Sequence, residues 1–188
     1  MKKGFFLTVV AVFCAAAVSA ENFWPNGGME EGKGSLPAGY VRAGTDTSLL
    51  RWGAPAASGE KSIGIVDDST GGYGSWSSAL VKLPAGTVGQ SVRLRWVECY
   101  NVESGVMRVT VTFCDEAKAL IQSATANHLL KGKNAGWNAK TFSPVDMTVK
   151  VPANAVTMKI ALMSAGANDA TGEVWMDDLT VEPVTAAQ

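Results

Sequence analysis

Two adjacent carboxylates are the residues of this chain with the clearest capacity for chemistry. Asp177 and Asp178 interrupt an otherwise apolar segment, GEVWMDDLTV, at positions 172–181. Side chains of a strand alternate between two faces. A regular strand therefore puts Val174 and Met176 on one face and Leu179 and Val181 on the other. All four enter one core only if an extra residue is inserted at the acidic pair. A β-bulge does this, and bulges tend to sit where a side chain is re-aimed. The alternative is a regular strand that buries Trp175, Leu179 and Val181 with Asp177 among them. That buries a carboxylate, which must then be paired or bind a metal.

Catalysis finds little support in the residue types. Asp177 and Asp178 are neighbours in sequence and cannot flank a scissile bond as two separated carboxylates must. The single histidine, His128, lies in a polar stretch where a solvated side chain is expected. Neither a G-x-S-x-G elbow nor an H-E-x-x-H helix occurs, so the two commonest hydrolase signatures are missing. The chain reads as a non-enzyme.

A succession of short strands must position these residues. Residues 61–66 alternate Ile63 and Ile65 with polar neighbours, and residues 76–83 read as a further strand. Residues 91–101 form the clearest strand, with Val92, Leu94 and Trp96 on one face and Arg93, Arg95 and Val97 on the other. Residues 105–114 send Met107, Val109, Val111 and Phe113 inward and Arg108, Thr110 and Thr112 outward. The intervening Glu103-Ser104-Gly105 predicts a tight turn and an antiparallel hairpin. On that pairing Arg93, Arg95 and Arg108 share one solvent face. Residues 118–125 read as a weaker strand, and residues 126–140, with His128 and Trp137, as the longest irregular stretch. Val145, Met147, Val149 and Val151 mark another strand, and Val156, Met158, Ile160 and Leu162 the next. Short strands with turn signals at regular spacing predict an all-β fold, a β-sandwich of two antiparallel sheets with jelly-roll topology.

The N-terminus stands apart from that pattern. Lys2 and Lys3 precede an apolar run at 5–18 and a small-residue site, Val18-Ser19-Ala20. This is the pattern of a secretory signal peptide at 1–20, leaving 21–188 as one domain. The apolar run is short for a membrane span. Export to the periplasm, cell surface or medium is expected, with no membrane anchor after cleavage. Loss of Lys2 and Lys3 from 16 basic residues leaves 14 against 17 acidic ones. That balance gives no footprint for nucleic acid. Cys99 and Cys114 remain in the mature chain, and the predicted hairpin sets them beyond the reach of a disulfide.

Several segments together resemble a known family. NGGMEEGKGSLPAGY, GEKSIGI, SWSSALVKLPAGTVGQSVRLRWVECYN, GWNAKTFSPVDMTVKVPANAVTMKIAL and GEVWMDDLTV occur in this order over nearly the whole mature chain. They resemble the successive blocks of jelly-roll carbohydrate-binding modules of the kind grouped in families 4, 9 and 22, a galactose-binding-like β-sandwich. The resemblance implies a polysaccharide or glycan ligand held in a groove on the concave sheet. It also implies a structural calcium between an N-terminal glutamate and the C-terminal acidic pair. By position those ligands are Glu30 and Asp177 or Asp178, with backbone oxygens near Lys61 and Ser62. Calcium takes six to eight hard oxygen ligands, so the residue types suit it. The competing reading is that Glu30 and the two aspartates accept backbone N–H bonds in turns.

A sugar ligand needs aromatic faces and hydrogen-bonding groups. Tyr73 in a glycine-rich loop, Trp137 in the long loop and Tyr100 near a strand end are the aromatic candidates. Trp96 belongs to the core face, Trp76 is expected to be partly in the core, and Trp52 and Trp175 stay open. Arg93, Arg95 and Arg108 are the polar candidates. Their guanidinium forks suit carboxylates better than hydroxyls, which puts acidic polysaccharides among the ligands. The competing reading is that these arginines are paired or simply solvated. A second class of function is a cell-surface structural or adhesion module without sugar binding.

Overall fold

In the computed structural model the described residues are 21–68, 71–165 and 170–184. The stretch read as a leader, 1–20, the end of the chain and parts of two stretches read as loop or turn lie outside them. Among the described residues twelve strands form: β1 (Gly32–Lys33), β2 (Leu36–Pro37), β3 (Tyr40–Gly44), β4 (Leu50–Gly53), β5 (Ser62–Asp67), β6 (Gly74–Ser78), β7 (Val81–Lys82), β8 (Ser91–Cys114), β9 (Ala126–Lys133), β10 (Ser143–Lys150), β11 (Thr157–Ala165) and β12 (Thr171–Val184).

The predicted hairpin does not form. Residues 91–114 make one strand of 24 residues, β8. Both flanks of β8 are paired along its length. On one side β12 takes the first half and β11 the second. On the other, β10 takes the first half and β9 mostly the second. Glu103, Ser104 and Gly105 therefore bend a strand instead of reversing it, with Gly105 at φ +66°, a value glycine adopts without a Cβ penalty. The β9 register slips between Val102 and Met107. Extra β8 residues at this bend switch the inward parity from Val92, Leu94 and Trp96 to Met107, Val109, Val111 and Phe113.

The bend splits one antiparallel sheet into two layers. One runs β10-β8-β12-β5-β4 and uses the first half of β8; the other runs β9-β8-β11-β6-β3 and uses the second. Their inner faces share one core that holds Ile63, Ile65, Leu94, Trp96, Val109, Val111, Phe113, Met158, Ile160, Leu162, Val174 and Met176. This is the all-β sandwich that the alternation predicts. Trp76, expected to be partly in the core, is fully buried, and its Nε1 donates to the Gly64 carbonyl at 2.9 Å, tying β6 of one layer to β5 of the other.

Strand β9 occupies much of the stretch read as irregular. It is an edge strand with Leu130 buried and Leu129 61 % exposed. One buried leucine leaves too little periodicity to mark a strand. Conversely, residues 118–125 carry only a bridge between Leu120 and Cys114 and a 3₁₀ turn at Gln122–Ala124. Cys99 and Cys114 are buried and free. They lie in opposite halves of β8.

Candidate functional site

The acidic pair sits at a bulge, the first of the two readings that the apolar pattern left open. On β12, Asp177 faces Val97 and Thr180 faces Arg95, so one extra residue is inserted between them. Asp178 takes it up at φ +52°. Val174, Met176, Leu179 and Val181 all reach the core. Asp177 is completely buried on the opposite side. Its Oδ2 accepts from Ala57 N at 2.9 Å and Ser58 N at 3.2 Å, and its Oδ1 from Asp178 N at 2.8 Å. Burial pushes this carboxyl above its ordinary 3.8 despite those three amides. Asp178 Oδ1 takes the Ser58 hydroxyl at 2.6 Å. Glu30 grips the same β4–β5 loop further along, its Oε1 accepting from Glu60 N at 3.0 Å and Lys61 N at 2.9 Å. The N-terminal segment is sewn to the bulge by Leu179 N to Gly27 O at 2.9 Å and Phe23 N to Val181 O at 3.1 Å.

Glu30, Asp177 and Asp178 thus close one clasp over the first, middle and last segments of the fold. Glu30 Oε1, both Asp177 oxygens and Asp178 Oδ1 accept N–H or O–H groups. Among the described residues no three acidic, histidine or cysteine side chains come together at one point. In this arrangement the residues form a hydrogen-bonded clasp.

The arginines divide between the two layers. Arg93 and Arg95 lie outward on the first half of β8, Arg108 on the second, beyond the bend. Arg93 forms a forked pair with Asp146 of β10, and Arg95 reaches Glu182 of β12 at 3.1 Å. They are paired surface groups, and the shared arginine face does not exist. Hydrogen bonding from Arg93, with the charges of both arginines, holds Asp146 below its ordinary 3.8. A depressed carboxylate contributes stability above its unfolded value and loses it as pH falls through the folded one. Asp146→Asn is therefore expected to flatten the acid side of the stability profile between about pH 5 and pH 3, measured by urea unfolding, and to leave ligand binding unchanged.

Arg108 opens onto a different surface. The outer face of the β9-β8-β11 layer carries three rungs. Arg108 stands beside Leu129 and Met163, Thr110 beside Asn127 and Ala161, and Thr112 beside Lys159. The loop after β8 adds Leu120, Gln122 and Thr125 as a wall, and the whole forms a groove of about 270 Å³. No acidic side chain lines it. Neither Arg108 nor Lys159 takes part in an ion pair among the described residues. Arg108 Nε donates only to the Met163 sulfur at 3.1 Å, a weak acceptor. Thr110 donates to Asn127 Oδ1 at 2.9 Å. The hydroxyls of Thr112 and Thr125 are buried and carry no hydrogen bond.

A matching architecture recurs in known structures. A family 61 carbohydrate-binding module in complex with β-1,4-galactotriose superposes with a TM-score of 0.57 at 15 % identity, over 88 % of this chain and 100 % of that one. The xylan-binding domain of family 22 from Paenibacillus barcinonensis gives 0.53 at 12 %, over 92 % and 100 %. This chain has the fold of a carbohydrate-binding module. The same fold is found in the enzymatically active domain of tailspike protein 4 of bacteriophage CBA120, with a TM-score of 0.65 at 12 % identity, over 87 % of this chain. The chain spans 21 % of that protein's length. No family model and no curated protein sequence matches the chain.

The remaining candidates scatter over this fold. Tyr100 points inward and packs against the core, where burial and then the Glu98 charge push its hydroxyl above 10.0. Tyr73 is half-buried ahead of β6, its backbone bonded to Thr45 and Asp46. Trp137 lines a separate pocket with Asp67, Asp68, Asn101, Glu103 and Glu173, and Lys140 lies over its ring. Trp175 is buried over Gly64, where a Cβ would come within 2.4 Å of its ring. His128 is not a solvated bystander: its Nε2 lies 3.0 Å from Glu98 Oε1, and Trp96 Nε1 donates to Glu98 Oε2 at 2.8 Å. The polar groove residues missed from sequence are Gln122, Thr125, Asn127 and Lys159. Lys159 was legible, since it alternates outward between Met158 and Ile160. Asn127 was hidden with β9, and the wall residues belong to a loop.

Proposed function

We propose that this chain is an exported, non-catalytic glycan-binding module whose ligand lies in the groove over β9, β8 and β11. The observation that carries this is the groove's lining. Thr112 and Thr125, whose buried hydroxyls have no hydrogen-bond partner, line it beside Gln122 and Asn127. A buried hydroxyl without a partner costs about 1–3 kcal/mol, and rotation of either side chain toward a sugar hydroxyl would remove that cost. A largely preformed concavity with a few convergent polar groups is how small ligands are usually held. The neighbours in complex with galactotriose and named for xylan binding support the reading through their shared fold.

The test fills the groove. Ala161 sits at its middle rung, opposite Thr110. Ala161→Trp is expected to weaken retention on immobilised xylan, β-1,4-galactan or polygalacturonate, whichever the wild type binds, by tenfold or more, with an unchanged melting temperature. Retention equal to wild type would place the ligand elsewhere.

A further inference from the structure

We infer that the groove selects an anionic glycan, its acidic groups held by Arg108 at one end and by Lys159 with Thr112 at the other. The inference rests on the proposed glycan-binding function and adds the class of sugar. The two cations share one face and are separated by four residues along β8, about 13 Å at the rise of a strand. Lys159 stands directly opposite Thr112, so an ammonium and a hydroxyl donor meet on one rung. Thr112 is 7 % exposed and its Oγ1 has no partner. Arg108 keeps its terminal nitrogens for a ligand, because Nε alone is engaged, by a thioether sulfur. A guanidinium fork is matched by a carboxylate or sulfate far better than by a neutral hydroxyl.

The rest of the surface agrees with this choice. The groove contains no aromatic side chain, so the stacking platform that a neutral pyranose uses is missing from it. The Trp137 pocket has the opposite character, with Asp67, Asp68, Glu103 and Glu173 around the ring, and would repel the same polymer. Arg93 and Arg95 face Asp146 and Glu182, so their charge is already answered. Arg108 and Lys159 stand in a concavity that no acidic side chain lines. Two cations at opposite ends call for a chain with repeated acidic groups more than for a single small anion.

The experiment measures equilibrium binding of the full chain, produced with its own leader, to polygalacturonate, to dextran sulfate and to neutral xylan and β-1,4-galactan. The expected result is preference for an acidic polymer, weakened tenfold or more between about 0.05 M and 0.5 M salt as the charges are screened. Arg108→Ala and Lys159→Ala should each weaken it about tenfold, the size of a lost charge-assisted hydrogen bond. Thr112→Val should weaken binding several-fold while the melting temperature stays the same or rises, because no partner is lost in the free protein. Preference for polygalacturonate identifies a carboxylate ligand and preference for dextran sulfate a sulfate, and either supports the inference. Binding of a neutral polymer that Ala161→Trp abolishes and Arg108→Ala and Lys159→Ala leave intact overturns the inference and keeps the glycan-binding function. Binding to none of the polymers overturns both.

Discussion

Asp177→Ala is expected to cost about 3 kcal/mol of stability, a large share of the 5–15 kcal/mol typical of a domain. The side chain is fully buried. Its two oxygens hold the amides of Ala57, Ser58 and Asp178. Truncation leaves three N–H groups without partners, each worth about 1–3 kcal/mol when buried, partly relieved as water enters. The amides of Ala57 and Ser58 belong to the loop that Glu30 also grips. Slackening one side of the clasp therefore frees the N-terminal segment on the other. Asp177→Asn keeps one accepting oxygen and turns an NH₂ toward an amide, so an intermediate loss is expected. Urea unfolding of the three proteins measures the order. A chelator should leave the wild-type melting temperature where it is if the clasp is held by hydrogen bonds alone, since both Asp177 oxygens already accept amides. A rise on adding calcium would show the carboxylates turning to an ion, because a ligand bound only by the folded state raises its stability.

The bulge was legible as one of two readings of the apolar pattern, and its link to Glu30 came from the resemblance. Four apolar residues around two adjacent acids cannot share a face without an inserted residue, and the bulge at Asp178 supplies it. The hairpin was misread because Glu103-Ser104-Gly105 has turn chemistry, and a bend uses the same residues. The parity switch from Trp96 to Met107 is compatible with either. What decides is pairing with β9, β11 and β12, all distant in sequence. Misplacing that one bend put Arg93 and Arg95 on the face of Arg108. Their partner Asp146 was visible as the outward residue between Val145 and Met147, yet only the pairing of β10 with β8 brings it to them. The groove is half legible for the same reason. Arg108, Thr112 and Lys159 follow from strand alternation, while Gln122 and Thr125 come from a loop whose course no periodicity reports.

The joint between the two layers is expected to fail if Trp76 is lost. Trp76→Ala should cost about 3–5 kcal/mol, the usual range for removing a large aromatic from a core. Trp76 is fully buried at the middle of β6. It stands opposite Arg42 of β3 and Leu162 of β11, with the Arg42 guanidinium 5.3 Å from the ring centroid. The β9-β8-β11-β6-β3 layer closes over it, and its indole N–H crosses to the Gly64 carbonyl of the facing layer. Gly64 has no slack to follow a smaller side chain, because Trp175 presses on it so closely that a Cβ would meet the ring at 2.4 Å. Two tryptophans thus fix one glycine, and the cavity and the loss of the indole hydrogen bond arise together when Trp76 is cut back. Trp76→Phe separates them: it retains much of the ring volume and deletes the donor, so a loss of about 1–3 kcal/mol is expected. Equilibrium denaturation of both variants gives the two contributions by difference. A Trp76→Ala loss under about 1 kcal/mol would mean that the layers reclose without the tie. Because β6 lies beside β11, which carries Ala161 and Lys159, a folded Trp76→Phe protein that binds its glycan normally would show the groove to be built on β8, β9 and β11 alone.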